Sequence, residues 1–402
     1  MDQTTLSYRW YILLVLTLTQ IGASLAALAF GPLASFLQDS FQISRAQVGL
    51  LTSALYFGSI LVSIPTGQLA DRLGVRRLLL VGPAAMAVFF FVFSRADGYQ
   101  TAWILALFAG MGYGVINPAT AKAIMYWFSA KGRATAIGIK QSGVTIGAAI
   151  GAALLPTLAL VWTWRTALLI VGAAVLGSSV LCYLFYREFP EATLSEKGPP
   201  KTDGGLIQVI TNRNIILFSF VDCIWSSIQM SVSTYLVLYL KETLFYSVVI
   251  AGIYLAVAQM SAGLGRVLWG VISDHLFQSR RKIVLLIIGI ITTVTTLGMT
   301  VLTKDTPGWL LFIIVIFIGL SVLGRHGVLI TFVAELAGKE SAGTAMGVSI
   351  TITYIGIIIG PPLFGHIADI TGSYGLSWLV FGIASGLATA ALLLVQEKRQ
   401  PA

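Results

Sequence analysis

The residues able to do chemistry in this chain are few, and they sit where water is scarce. Of 402 residues, 57% are hydrophobic and only 10% charged. Lys140, Arg266, Arg325, His326, Asp222 and Glu335 nonetheless fall inside long apolar runs. A charge at the centre of a membrane helix costs ~2.5–3.5 kcal/mol on insertion scales, so it faces a cavity, finds a partner or snorkels. The deep cations Lys140, Arg266 and Arg325 stand against one deep carboxylate, Asp222, because Glu335 lies near the end of its run. A positive excess of this kind points to an anionic ligand. The forked donors of an arginine suit a carboxylate. Asp222 and His326 are the candidates for carrying a coupling proton, His326 because imidazole titrates near neutral pH.

Each residue also fits a plainer role. Arg266, about 18 residues into its run, could snorkel or pair with Asp274. Arg325 could pair with Asp222, and adjacent helical positions point ~100° apart, so Arg325 and His326 cannot both face one cavity fully. Asp222, Ser226, Gln229 and Ser233 are spaced 4, 3 and 4 apart, which lines them along one helix face. Such a stripe lines water or a polar helix contact, and Asp222 fits a coupling carboxylate or a fixed partner of Lys140 or Arg325. Lys140 lies between Gly138 and Gly143, a pattern that favours close helix contact; binding an anion, passing a proton and snorkelling all suit it. Lys122 reads as an interface residue. Tyr113, Asn117, Gln141, Tyr254, Gln259 and Tyr354 are further candidate ligands, and each also fits simple packing.

Such residues need apolar helices to hold them. A run of ~20 apolar residues spans a bilayer core, and twelve can be drawn: 10–37, 48–69, 78–94, 102–128, 134–160, 166–186, 215–240, 248–272, 283–302, 309–336, 343–364 and 376–395. The first run is longer than the ~7–15 apolar residues of a signal peptide and reads as a retained span. With both termini cytoplasmic, 16 of the 25 basic residues fall on the inner side, while the outer loops hold Arg45, Arg95, Arg165, Lys241 and Lys304. That bias supports the orientation and accounts for most of the net charge of +9, so nucleic acid is not needed as a partner. Cys182 and Cys223 lie in apolar runs and read as packing. His275, His326 and His366 are scattered, with no metal, nucleotide or nucleophile motif. The expectation is therefore no enzyme, no metal and no cofactor.

One break, 187–213, is polar and turn-rich, and it divides residues 1–186 from 214–402. The two parts look related. Ala134-Thr-Ala-Ile-Gly138 recurs as Gly343-Thr-Ala-Met-Gly347, a shift of 209 positions that also sets Gly110 on Gly319 and Asn117 on His326. After the second run stands Gly67-Gln-Leu-Ala-Asp-Arg-Leu-Gly-Val-Arg-Arg77; after the eighth stands Gly270-Val-Ile-Ser-Asp274, followed by Arg280-Arg-Lys282. Together these indicate an internal parallel repeat.

The segment Gly67 to Arg77 resembles the loop motif of the major facilitator superfamily, and Gly270 to Asp274 resembles its weaker echo between helices eight and nine. The resemblance covers nearly the whole chain. It implies an all-α membrane protein, with twelve transmembrane helices in two pseudo-symmetric six-helix bundles around a cavity that opens alternately to either side. The motif itself suits a gate formed by Gly67, Asp71, Arg72, Arg133 and Asp274, with Asp71 accepting from the helix N-terminus near Gly343 and pairing with Arg133; a solvated turn that satisfies the positive-inside rule is the plainer reading. Arg266 is similar to the helix-eight arginine of oxalate/formate antiporters, monocarboxylate carriers and nitrate porters, which meets substrate or coupling proton. The chain departs from each: span eleven has no lysine, span two has Ser59 and Ser63 but no arginine, and Ala262 stands where many monocarboxylate carriers have aspartate. The expectation is a plasma-membrane secondary transporter of a small organic anion, acting as a monomer by proton symport or anion exchange. Multidrug efflux by proton antiport is the alternative that Asp222 keeps open.

Overall fold

The computed structural model describes residues 3–188, 205–278, 280–338 and 341–397. Most of the expected linker, 189–204, lies outside them, as does Lys339. Among the described residues the regular structure is helical, and twelve helices are long and apolar enough to cross a membrane. They are Tyr8–Ala27, Arg45–Ser63, Val75–Phe93, Tyr99–Trp127, Thr135–Val161, Trp164–Phe185, Arg213–Glu242, Val248–Leu276, Arg281–Gly298, Gly308–Ala337, Ala342–Thr371 and Gly375–Leu392. We call them spans one to twelve. The protein is a multi-pass helical membrane protein.

Two boundaries differ from the hydropathy reading for a clear reason. The apolar run 10–37 is not one helix. Span one stops at Ala27, and a short helix, Ala34–Phe41, follows a turn. Gly31 and Pro32 lie in that turn, and proline lacks the N–H and the clearance that a continuing helix needs. Hydropathy cannot see this break, because the turn residues are themselves apolar. Span two starts earlier than its run, at Arg45.

Spans four and ten are both interrupted, at positions related by the 209 shift. In span four the helix stops at Gly114 and resumes at Ile116. Pro118 has no N–H to offer the carbonyl four residues earlier, and the Gly114 carbonyl instead accepts from Ser63 Oγ of span two at 3.3 Å. In span ten a π-helical turn, Gly319–Leu323, precedes the last segment, His326–Ala337. There the Leu320 carbonyl accepts from Trp269 Nε1 of span eight at 2.7 Å. Broken helices are tolerated in membranes only when neighbours satisfy the freed backbone in this way.

The chain forms two compact units. The first is Met1–Ile43 with Leu50–Pro199; the second is Ser44–Gly49 with Pro200–Ala402. In the first, glycines bring spans two and four into backbone contact. A Cβ on Gly58 would overlap the Leu107 carbonyl oxygen, one on Gly110 the Leu55 oxygen, and one on Gly114 the Ser59 oxygen. In the second, spans eight and ten cross over Gly265, Gly319 and Gly324, where a Cβ on Gly265 would stand 2.6 Å from Leu320 O. Apolar helices gain little by burying themselves from lipid, so this close approach of small residues is what holds them together.

Gly74 closes the loop motif at φ +79°, a conformation that glycine adopts without cost. Glu188 reaches over it, and its Oε1 accepts from the Arg76 N–H at 2.8 Å, at the start of span three. Gly74→Ala combines that φ with a Cβ 2.6 Å from the Glu188 carboxylate. It is expected to cost about 1–2 kcal/mol, readable as a lowered thermal midpoint in detergent.

Candidate functional site

The second unit draws the charged residues of spans seven, eight and ten together. Arg325, fully buried, follows the π turn of span ten after Gly324. Its guanidinium meets the polar stripe of span seven. Nε and Nη2 donate to Asp222 Oδ1 at 3.0 and 2.8 Å, Nη1 donates to Gln229 Oε1 at 2.7 Å, and Nη2 also donates to Ser226 Oγ. The Val322 carbonyl of its own span accepts from Nη1 as well. The other Asp222 oxygen accepts from Thr353 Oγ1 of span eleven at 2.7 Å. Of the two readings of this pair, the structure shows the mutual one: Asp222 and Arg325 form a buried salt bridge at 2.8 Å.

Arg266 stands apart from that bridge. It lies on span eight at the crossing with span ten, where its backbone carbonyl would be 2.9 Å from a Cβ on Gly327. His326, partly buried, lies beside both Arg266 and Arg325. Gln259, one to two turns before Arg266, donates to Ser233 Oγ of the span-seven stripe at 3.4 Å. Tyr254 is elsewhere: its hydroxyl donates to the Gly308 carbonyl at 3.3 Å, and its ring meets Tyr246 edge-on at 5.5 Å. Tyr354, partly buried, lies on span eleven one residue beyond Thr353.

The first unit builds a second cationic centre from spans one, four and five. Lys140 is buried. Its Nζ donates to Asn117 Oδ1 at 2.8 Å and to Gln20 Oε1 at 3.3 Å. Asn117 stands just after the break in span four. Gly143 permits the approach, since a Cβ there would lie 2.9 Å from Thr17 O and 3.1 Å from Gln20 Cβ of span one. Gly138 faces open space instead, so one glycine of the expected pair makes the contact. Tyr113 is buried in this unit and meets Tyr56 edge-on at 6.0 Å. Gln141, next to Lys140, is partly buried.

The expected gate residues are only partly on view. Gly67, Asp71 and Arg72 fall in the helix Arg45–Leu73, but their side chains lie outside what is described. Arg133 caps the end of span four, donating to the Phe128 and Met125 carbonyls at 2.9 Å each. Asp274 pairs with Arg281 at 2.5 Å, and Arg281 also reaches Glu335 at 3.4 Å.

A further charged cluster escaped the sequence reading. Within the second unit, both oxygens of Asp369 accept backbone N–H groups at the start of span two, from Arg45 at 3.0 Å and Ala46 at 2.9 Å. The Arg45 guanidinium donates to Glu242 at 2.6 Å and to the Tyr374 hydroxyl at 3.0 Å. Burial, with Glu242 beside it, raises the pKa of the Tyr374 hydroxyl well above its ordinary value, so it stays a hydrogen-bond donor. A signal was present: Gly365-His-Ile-Ala-Asp-Ile-Thr-Gly372 repeats the spacing of Gly67-Gln-Leu-Ala-Asp-Arg-Leu-Gly74. Both copies end on a glycine at positive φ, +67° and +79°.

Twelve spans, a repeat with matched breaks in spans four and ten, and the loop motif have a counterpart among known families. The family described as Major Facilitator Superfamily matches residues 16–361 and 280–402. This chain belongs to the Major Facilitator Superfamily. It is similar to the hexuronate transporter of Bacillus subtilis, 24% identical, over 90% of this chain and 88% of that protein. It is also similar to a protein of Cupriavidus necator named as a probable sulfoacetate transporter, 25% identical over 90% and 88%. Among solved structures, a bacterial homologue of the human lysosomal transporter Spinster shares the fold, with a TM-score of 0.77 and 20% identity over 96% of this chain and 97% of that one. This superfamily member is a transporter, not an enzyme.

Proposed function

We propose that this superfamily transporter carries a small organic anion by alternating access, with Arg266 and Lys140 as ligands for its acid groups. The observation that supports this most directly is the Asp222–Arg325 bridge. It engages the Asp222 carboxylate with Arg325. Lys140 and Arg266 are two further cations set within the spans, and each could meet an acid group. A carboxylate takes two parallel N–H donors from a guanidinium. The similarity to a hexuronate transporter and to a protein named as a probable sulfoacetate transporter points to the same chemistry. The same bridge weighs against drug export, in which Asp222 would have to meet a cation.

Proton symport or anion exchange would drive such a carrier. Moving one net charge against 100 mV costs ~2.3 kcal/mol, and a proton moving with a monoanion removes that cost. The two parts, 1–186 and 214–402, act as the moving bundles, joined through 187–213. The excess of basic residues in alternate loops supports a plasma-membrane protein with both termini in the cytoplasm.

The test is thermal stabilisation of purified protein by D-glucuronate, sulfoacetate and lipophilic cations. A ligand at 100 times its dissociation constant should add ~2.7 kcal/mol of stability. Stabilisation by an acid is expected, and Arg266→Gln should lose it while the ligand-free midpoint holds. Stabilisation by cations alone, or acid binding that survives Arg266→Gln, would refute the assignment.

A further inference from the structure

Span two begins on a turn whose leading N–H groups are met in two ways. Two are met locally. The Ser44 N–H donates to Gln47 Oε1 at 2.9 Å and the Gln47 N–H donates to Ser44 Oγ at 3.3 Å, which is a reciprocal capping box. The two between them, on Arg45 and Ala46, donate to the two oxygens of Asp369. A carboxylate there also meets the positive end of the helix dipole. The second unit is shaped to seat this turn. A Cβ on Gly365 would stand 2.6 Å from the Arg45 carbonyl, and one on Gly49 2.6 Å from the Pro361 carbonyl carbon. The hydroxyl of buried Tyr235, on span seven, lies 2.7 Å from the Arg45 carbonyl oxygen and 2.8 Å from that of Pro361. The Arg45 guanidinium lies over the Tyr374 ring, 4.9 Å from its centroid, and reaches Glu242.

Two features make this seat releasable. The side chains of Arg45, Glu242 and Asp369 keep 23%, 28% and 23% of their surface exposed, so water can replace a partner that leaves. The capping box travels with the turn, so the turn remains a helix start when Asp369 withdraws. A third feature gives release a purpose. The boundary between the compact units falls inside span two, with Ser44–Gly49 in the second and Leu50 onward in the first. Movement of one unit against the other must therefore bend span two after Gly49 or lift its first turn off Asp369.

We propose that Asp369 is a releasable latch on the start of span two, and that its release, with Arg45 leaving Glu242 and Tyr374, is the step that opens the outer side. In the orientation given above, both ends of this contact lie at the outer face. The latch depends on alternating access, as proposed above, and not on which cations bind the substrate. It also gives the second copy of the loop motif a use. Gly67 to Gly74 ends span two on the inner side, where span eleven starts after Ser341. Gly365 to Gly372 ends span eleven on the outer side, where span two starts after Ser44. Each span carries a carboxylate for the first turn of the other, so one can hold while its counterpart is free.

The test holds the latch shut. In full-length protein carrying Cys182→Ala and Cys223→Ala, Arg45→Cys and Glu242→Cys are joined by a short bifunctional thiosulfonate reagent, with Asp369 left in place. The control pair is Thr293→Cys with Ser385→Cys, whose native hydroxyls lie 2.9 Å apart within the second unit. Counterflow of D-glucuronate and of sulfoacetate in proteoliposomes is measured before cross-linking, after it and after reduction. Cross-linking the latch pair should slow counterflow roughly tenfold or more, because a conformational step is blocked, and reduction should restore it. The control pair should transport alike in all three states. A fixed helix cap predicts that neither cross-link matters. Unchanged counterflow in the cross-linked latch pair would therefore overturn this inference and leave the carrier standing. Wild type that moves neither acid would overturn both. Hydrogen exchange in wild type, with no substitution at all, covers a latch pair that is inactive before cross-linking. A saturating transported acid should quicken exchange at the Arg45 and Ala46 amides roughly threefold or more, because each turnover opens them. The same exchange rate with and without the acid would sink the latch and spare the anion assignment.

Discussion

Asp222→Ala is expected to cost about 3–5 kcal/mol of stability, because it strands a buried guanidinium. Arg325 has no exposed surface, and its bridge to Asp222 is surrounded by Ser226, Gln229 and Thr353. Desolvating a lone cation costs more than any one of those neutral hydrogen bonds returns. The variant should show a sharply lower thermal midpoint and poor recovery from the membrane. Replacing both partners, as in Asp222→Leu with Arg325→Met, should restore most of the loss, since an apolar pair of similar volume avoids the desolvation altogether. The double variant also separates two roles. If Arg325 only holds spans seven and ten together, the stable double variant keeps its affinity for the transported acid. Loss of that affinity in a protein with a recovered midpoint would show that Arg325 meets substrate.

Gly110→Ala is expected to be the most damaging single methyl group in the first unit. Its Cβ would stand 1.8 Å from the Leu55 carbonyl oxygen, and that of Gly58→Ala 1.9 Å from the Leu107 oxygen. The obstacle in each case is backbone, which cannot rotate away. Overpacking of this kind costs about 1–3 kcal/mol, and more where the neighbour cannot yield. A pair of such contacts on one crossing leaves spans two and four no local route to relax. Gly177 is the matched control, with nothing within 4 Å of an added Cβ. There alanine should be neutral or stabilising by up to about 1 kcal/mol, the helix-propensity gain. Thermal midpoints of the three variants in one detergent decide it. Equal midpoints for Gly110→Ala and Gly177→Ala would disprove the close crossing.

Much of the fold was legible because lipid makes it so. A segment that must bury ~20 apolar residues announces itself in hydropathy, and the twelve spans follow the runs closely. The misread first span shows the limit. Leu28 to Leu33 is apolar and still not helical, because Pro32 overrides hydropathy. The site was legible by residue type but not by partner. Spacing placed Asp222, Ser226, Gln229 and Ser233 on one face, and the structure sets three of them around Arg325. Whether Asp222 would meet Arg325 or Lys140 is a question about helix order, which local pattern does not carry. Gln20 was missed because an uncharged residue raises no electrostatic alarm. Only the internal register, matching it to Gln229, marks it. The cluster at Arg45 was missed for the opposite reason: at the end of a span a charged residue is expected, and it draws no attention.

That cluster bears on how the protein is made. The carboxylate that caps Arg45 lies 324 residues further along the chain, and the one that binds its guanidinium lies 197 further. At synthesis rates of 5–20 residues per second, Asp369 appears roughly 16–65 s after Arg45. For that interval the first turn of the second span has its leading N–H groups exposed, with their native acceptor not yet translated. The last step in completing span two must therefore wait for span eleven. A ribosome stalled before Asp369 would leave a nascent chain in which the start of span two is still open to protease, though the whole of that span has long since been synthesised.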